Sequence, residues 1–104
     1  MLNPDDDRAI LVQRLREFAD GRCGFDRVER VAFEIRDRWS RSPESARPPE
    51  SEAELPLWAA VWDITSSCKD SLIAEPGREH PVLQHIVFLE GSAELPIGWR
   101  AERP

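Results

Sequence analysis

The stretch LPLWAAVWDITSSCKDSL, from Leu55 to Leu72, carries two of the four tryptophans of the chain at helical spacing. Side chains three and four residues apart lie on one face of an α-helix. That face contains Leu57, Trp58, Val61, Trp62, Thr65, Cys68 and Leu72. Pro56 suits the first turn, where a missing N–H leaves no helical hydrogen bond unmade. Because each tryptophan can bury roughly 150–250 Å², we predict that this helix forms the centre of the core.

Two further amphipathic helices precede this stretch. The sequence predicts a first helix over about Asp6–Asp20. It begins with three aspartates, continues with apolar residues at helical spacing and stops at Gly21. A second helix is predicted from about Phe25 to Trp39, where charged residues separate the apolar positions. The short turn between these helices predicts that they form an antiparallel hairpin.

A fourth helix is predicted after the central stretch, beginning at Pro81 and ending at Gly91. Its predicted inward side chains are Val82, Leu83, Ile86, Val87 and Leu89. A strand over 86–89 is the alternative, because β-branched residues cluster there. We favour the helix, and the sequence therefore predicts an all-α protein, an antiparallel four-helix bundle.

The 104 residues are expected to form a single helical domain, residues 1–104. Between helices two and three, residues 40–54 read SRSPESARPPESEAE, a composition too poor in large apolar side chains to form a core. We predict a long, mobile Pro/Ser/Glu-rich loop there. The C-terminal tail, residues 92–104, is expected to fold back so that Leu95, Ile97 and Trp99 cover the bundle, with residues 100–104 left free.

The charge of the chain is strongly acidic and unevenly distributed. There are 20 acidic and 14 basic side chains, a net charge of −6, and residues 44–94 hold ten acids against three bases. This balance argues against direct nucleic-acid binding, which needs a basic face. It suits a basic protein partner, although ordinary proteins also carry such a charge.

Features of export and membrane insertion are not apparent in the sequence. The N-terminus lacks a basic segment followed by an apolar run, and no stretch approaches the ~18 apolar residues of a membrane span. Cys23 and Cys68 are too few for a disulfide framework and are expected to be buried thiols. We therefore expect a cytoplasmic protein that does not associate with membranes.

No catalytic or metal-binding motif is recognisable, so we predict no enzyme, no metal and no cofactor. His80 and His85 are five residues apart and do not share a helical face. Cys68 lies on the apolar face, where an inert thiol is expected rather than a nucleophile activated by His85. Asp63 and Asp70 lie two helical turns apart, about 10 Å along the axis, which is ordinary for a solvated helix face.

What remains is an acidic surface beside the third helix. The carboxylates expected to converge there are Asp63, Asp70, Glu75, Glu79, Glu52 and Glu54. Like charges repel one another, so such a cluster does little for a monomer, but a complementary field speeds the capture of a basic partner. These six residues are our predicted partner-binding residues.

The chain also resembles a known family, the colicin-like self-protective immunity proteins of the colicin D immunity type. The resemblance covers about Ile10–Leu72. It is carried by Phe18-Ala19-Asp20-Gly21, then Cys23, Val28 and Trp39, and then Asp63, Cys68 and Asp70. It implies a four-helix bundle that binds and blocks the nuclease domain of a cognate bacterial toxin, a tRNA-cleaving ribonuclease, in the producing cell. The family binds through an acidic surface, which places Asp63 and Asp70 at the interface.

Two other functions stay open at this point. A helical adaptor or regulatory protein that tends to dimerise would bind a protein partner through apolar surface and leave part of Trp39, Trp58 or Trp99 exposed. An enzyme would require a deep polar pocket that contains His80 or His85 together with Asp63. Our leading hypothesis is the toxin inhibitor, a monomer or weak homodimer.

Overall fold

The computed structural model describes residues 2–43, 45, 47–50, 52–66, 81–96, 98–99 and 101–104. It contains the helices α1 (Pro4–Ala19), α2 (Phe25–Ser40), α3 (Leu55–Ser66) and α4 (His85–Leu89). Short 3₁₀ helices, Glu52–Glu54 and Pro81–Gln84, lead into α3 and α4. The described residues form no strand, so the all-α prediction is confirmed and the strand alternative for 86–89 is wrong.

The first helix begins and ends at local signals. The Asn3 side chain accepts the Asp5 N–H at 2.9 Å, and Pro4 occupies the first turn. At the other end Gly21 adopts a φ of 75°, which an L side chain rarely tolerates. The N–H of Arg22 donates to Glu17 at 2.8 Å and that of Gly21 to Phe18 at 3.1 Å, the Schellman pattern. Gly91 ends α4 in the same way, with a φ of 77°.

The core lies where α2 packs against α1 and α3, with α4 closing against α1 and α3. Its fully buried side chains are Leu11, Leu15, Val28, Ala32, Ile35, Trp39, Leu57, Trp58, Ala60, Val61, Ile64 and Leu89. Trp39 of α2 and Trp58 of α3 meet edge to face, with ring centroids 4.7 Å apart, the geometry that aromatic pairs prefer. The prediction that Trp58 lies at the centre of the core is confirmed.

The buried faces of α3 and α4 differ in detail from the sequence prediction. In α3, Ile64 is fully buried and Trp62 only partly so; Cys68 and Leu72 lie outside the described residues. In α4, Val87 is 43% exposed and His85 only 1%. The preceding residues form a 3₁₀ helix with about three residues per turn, so the helical phase differs from that of an α-helix begun at Pro81.

Both ends of the predicted 40–54 loop belong to regular structure. Ser40 is the last residue of α2, and Glu52–Glu54 forms a 3₁₀ turn. The tail residues also pack closely: Ala101 lies against the core, and Arg103 is only 5% exposed. The expectation of a free chain end is therefore wrong for Arg103. In the described part of the chain, no helix is both long enough and apolar enough to cross a bilayer.

Candidate partner-binding surface

The structure gives the predicted binding residues three different environments. Glu52 is exposed, Asp63 has a side chain 38% exposed, and Glu54 is only 4% exposed. Asp70, Glu75 and Glu79 lie outside the described residues. The acids around α3 therefore do not share one environment.

Glu54 forms an internal ion pair with the C-terminal tail. Its carboxylate accepts two hydrogen bonds from the Arg103 guanidinium, from Nε at 2.5 Å and from a terminal nitrogen at 2.9 Å. Trp58 Nε1 donates to the same carboxylate at 3.0 Å, and the Glu50 N–H donates at 3.1 Å. The expectation of an exposed, partner-binding Glu54 is thereby corrected, because its carboxylate is enclosed and already paired within the chain.

The environment of Glu54 acts on its pKa in two opposing directions. Burial alone raises the pKa of the Glu54 carboxyl, because an enclosed site disfavours the charged form. The hydrogen bonds from Arg103, Trp58 and Glu50 outweigh that effect and hold the pKa below its usual value. The Arg103 guanidinium also lies 5.1 Å from the centre of the Trp39 ring, so the pair is built into the aromatic core.

Asp7 is a second internal acid, which the sequence analysis assigned only to the helix start. It is 1% exposed. One carboxylate oxygen accepts from Arg38 at 2.5 Å and the other from Trp39 Nε1 at 2.6 Å. Nothing local distinguishes Asp7 from Asp5 and Asp6, because its partners lie on another helix.

Asp63 has a different kind of partner, the buried His85 of α4. The Asp63 carboxylate lies 2.7 Å from His85 Nε2. Because an ionised carboxylate only accepts hydrogen bonds, Nε2 carries the proton. The other ring nitrogen, Nδ1, is buried and has no hydrogen-bond partner among the described residues.

Asp63 and His85 line a cavity of about 250 Å³ between α3, α4 and the tail. The other lining residues are Ala59, Trp62, Gln84, Trp99 and Ala101. The Trp99 ring packs on His85 with centroids 5.7 Å apart. Trp62 Nε1 donates to the Glu102 carbonyl oxygen at 2.6 Å, which holds the tail beside the cavity.

The cavity brings together His85 and Asp63, two of the residues that the enzyme alternative requires. A histidine base oriented by a carboxylate uses its second nitrogen to take the proton of the substrate. In His85 that second nitrogen, Nδ1, is buried and has no hydrogen-bond partner among the described residues. The enzyme alternative calls for a deep polar pocket, whereas the lining of this cavity is mostly apolar.

Glu52 lies beside a second, larger groove of about 610 Å³, which runs between the start of α3 and the tail. Its lining is Arg8, Glu52, Ala53, Leu55, Pro56, Phe88, Gly91, Ala93, Glu94, Leu95, Pro96 and Gly98. Arg8 is the one cation among these, and it bonds Asp5 at 2.9 Å and the Ala53 carbonyl oxygen at 3.2 Å. The groove therefore combines apolar walls with two exposed carboxylates, Glu52 and Glu94.

Sequence reasoning missed Glu94 and the enclosure of His85. Glu94 follows a glycine turn in the tail, so no helical or charge pattern links it to Glu52. Trp39 and Trp58 are fully buried, whereas Trp99 is partly exposed. Part of the surface expected of an apolar adaptor is therefore also present.

Comparison with known proteins adds no relative. No family model, curated protein or solved structure matches this chain. Among the described residues, no group of three or more His, Cys, Asp or Glu side chains is placed to hold a metal ion.

Proposed function

We propose that this protein is an immunity-type inhibitor that binds a basic toxin nuclease, a ribonuclease on the sequence resemblance, through an acidic surface. In this proposal the helices form an antiparallel four-helix bundle. The supporting observation is the groove beside α3, where the exposed Glu52 and Glu94 flank apolar walls. Residues 44–94 carry more acidic than basic side chains, and their negative field adds to that of Glu52 and Glu94.

The groove suits a lysine or arginine side chain from the partner. The aliphatic stem of such a side chain packs on apolar surface while its charged end stays near water. Here Leu55, Pro56 and Leu95 provide apolar wall, and Glu52 and Glu94 provide acceptors. A charge-assisted hydrogen bond is roughly twice as strong as a neutral one, so a cationic partner gains more at this groove than a neutral one.

An adaptor that docks through apolar contacts is the second candidate, favoured by the same apolar walls and by the exposed Phe33 and Val87. The two functions differ in their dependence on salt. Capture by opposite charge slows steeply as ionic strength rises, whereas apolar docking does not. Sedimentation separates them further, because an apolar docking face favours dimers.

The experiment takes the protein encoded by the reading frame immediately upstream and first asks whether it is a large secreted protein with a basic C-terminal domain. The two chains are co-expressed, growth protection is scored, and association is followed by stopped-flow at two salt concentrations. We expect protection, 1:1 binding and slower association in high salt. If the co-expressing cells stop growing and the two chains form no complex, the inhibitor function is refuted.

Charge-reversal variants locate the surface. Glu52→Lys/Glu94→Lys should slow association at least tenfold with the fold unchanged by circular dichroism. The matched control is Glu34→Lys/Asp37→Lys, which reverses two exposed acids on α2 and should alter the rate less than threefold. Equal slowing by both pairs would mean that only net charge matters and that the groove is not the binding site.

A further inference from the structure

We propose that residues 101–104 form a strap that leaves its docking site and returns to it as one unit while the helical core stays folded. In the structure Ala101 packs against the core, and Arg103 and Pro104 are buried. These four residues belong to no helix or strand, so tertiary contacts hold them in place. The opening is a property of the fold and does not depend on the toxin-inhibitor function.

Contacts to three different elements hold the strap. Trp62 of α3 donates its indole N–H to the Glu102 carbonyl oxygen at 2.6 Å. The Arg103 guanidinium donates to Glu54, in the 3₁₀ turn before α3, at 2.5 and 2.9 Å. The same guanidinium lies 5.1 Å from the centre of the Trp39 ring of α2. Because all of these partners are distant in sequence, the strap can leave them without unwinding a helix.

The centre of the core is held by contacts that do not include the strap. Trp39 of α2 and Trp58 of α3 meet edge to face with ring centroids 4.7 Å apart. The Trp39 indole N–H donates to Asp7 of α1 at 2.6 Å. These contacts join α1, α2 and α3 to one another, so they remain when the strap leaves.

The ion pair between Glu54 and Arg103 makes docking an all-or-none event. Both side chains are buried, and a buried charge that loses its partner is strongly destabilising. A partly docked strap would leave one of the two charges in that state. Complete undocking carries Arg103 into water and opens Glu54 to water at the same time, so neither charge stays buried and unpaired. The strap is therefore a two-state element.

The connection to the strap contains a hinge at Gly98. Residues 90–94, 96 and 98 are exposed, so this part of the chain runs along the surface. Gly98 has a φ of 94°, and a Cβ added there would have no described atom within 4 Å. The glycine is therefore needed for its backbone conformation and not for space. Hinges are commonly a few loop residues that absorb such backbone rotations.

Opening of the strap uncovers surface that the closed fold conceals. Arg103 lies over the Trp39 ring and pairs with the enclosed Glu54, and Ala101 lines the cavity beside His85. Minor conformations that expose such surface are the origin of cryptic sites. The strap thus controls access to one face of Trp39 and to the Glu54 carboxylate.

Three side-chain N–H protons of the full-length chain provide the test. The Arg103 Nε–H and the Trp62 indole N–H take part in strap contacts, whereas the Trp39 indole N–H bonds Asp7 within the core. Their exchange with solvent is followed by NMR at urea concentrations below the unfolding transition. We expect urea to change the first two rates little, because undocking exposes little surface. The Trp39 rate should rise steeply, as global unfolding does.

Two matched glycine substitutions then separate the strap from the core. Gly98 and Gly21 both have a positive φ, and neither has a described atom within 4 Å of an added Cβ, so alanine strains the backbone at either place without removing a side-chain contact. Gly21→Ala strains the core whether or not the strap is docked. It should accelerate exchange at Trp39 about threefold or more and leave the rates at Arg103 and Trp62 unchanged.

Gly98→Ala strains the docked strap and should accelerate exchange at Arg103 and Trp62 by the same factor. The proposal is overturned if Gly21→Ala accelerates all three protons equally, or if urea affects the three alike in the parent protein, because the strap then opens only on unfolding. Unequal acceleration of the two strap protons in Gly98→Ala, or none, also overturns it. No toxin enters these measurements, so their failure leaves the proposed inhibitor function standing.

Discussion

Glu54 and Asp63 lie near the two ends of α3, and the sequence predicts the same partner-binding role for both. Glu54 is enclosed and bonded to a permanent cation, Arg103, and to the Trp58 indole. Asp63 is partly exposed, bonds the imidazole ring of His85 and lines a cavity. The first acid holds the tail in place, and the second bonds a buried histidine at the edge of a cavity.

The difference teaches that burial and the kind of partner decide what an acidic side chain does. A buried charge must be paired, and removal of either member leaves the other uncompensated. A partly exposed carboxylate such as Asp63 stays in contact with water while it bonds His85. Three predictions about these two acids test the comparison.

The largest expected effect is that of Glu54→Ala. This change leaves the buried Arg103 without its carboxylate and should reduce the free energy of unfolding by about 3–5 kcal/mol. Urea denaturation measures the loss. Glu52→Ala is the matched control on the exposed neighbour and should change stability by less than about 0.5 kcal/mol.

A double variant checks the cause. Glu54→Gln/Arg103→Met removes both charges and keeps an acceptor for Trp58, so it should recover at least half of the stability lost in Glu54→Ala. A double variant as unstable as Glu54→Ala would show that the ion pair is not the source of the loss.

Asp63→Ala should have a smaller effect. It leaves the N–H of the buried His85 without an acceptor, at a cost of about 1–3 kcal/mol, and the carboxylate that is lost is partly exposed. Asp63→Asn should restore most of the loss, because its carbonyl oxygen can accept the same bond. Thermal unfolding measures the stability of both Asp63 variants, and Asp37→Ala serves as the control. Equal stability of Asp63→Ala and Asp37→Ala would show that the hydrogen bond to His85 does not stabilise the fold.

The smallest expected effect is the dependence on pH. The pKa of Glu54 is lower in the folded protein than in the unfolded chain, so folding favours its ionised form. That contribution is present above the unfolded-state pKa, about 4.3, and is lost as the pH falls through the folded-state pKa. Glu54→Gln should therefore lose less stability than the parent protein on acidification, and parallel curves would contradict an ionised Glu54 in the fold.

The sequence by itself determined the helices and much of the core. The stops at Gly21 and Gly91 and the burial of Trp58 follow from glycine conformation and apolar spacing. These signals act within a few residues, so they can be recognised without knowledge of the fold. The same local signals did not predict the 3₁₀ helix that precedes α4.

Only the tertiary structure decided the roles of the acids. Arg103 lies 49 positions from Glu54 and His85 lies 22 positions from Asp63, so no local pattern joins them. Charge and spacing identify an acidic side chain equally well whether it becomes buried or stays exposed. Its burial, pKa and availability to a ligand depend on the groups that distant parts of the chain bring to it.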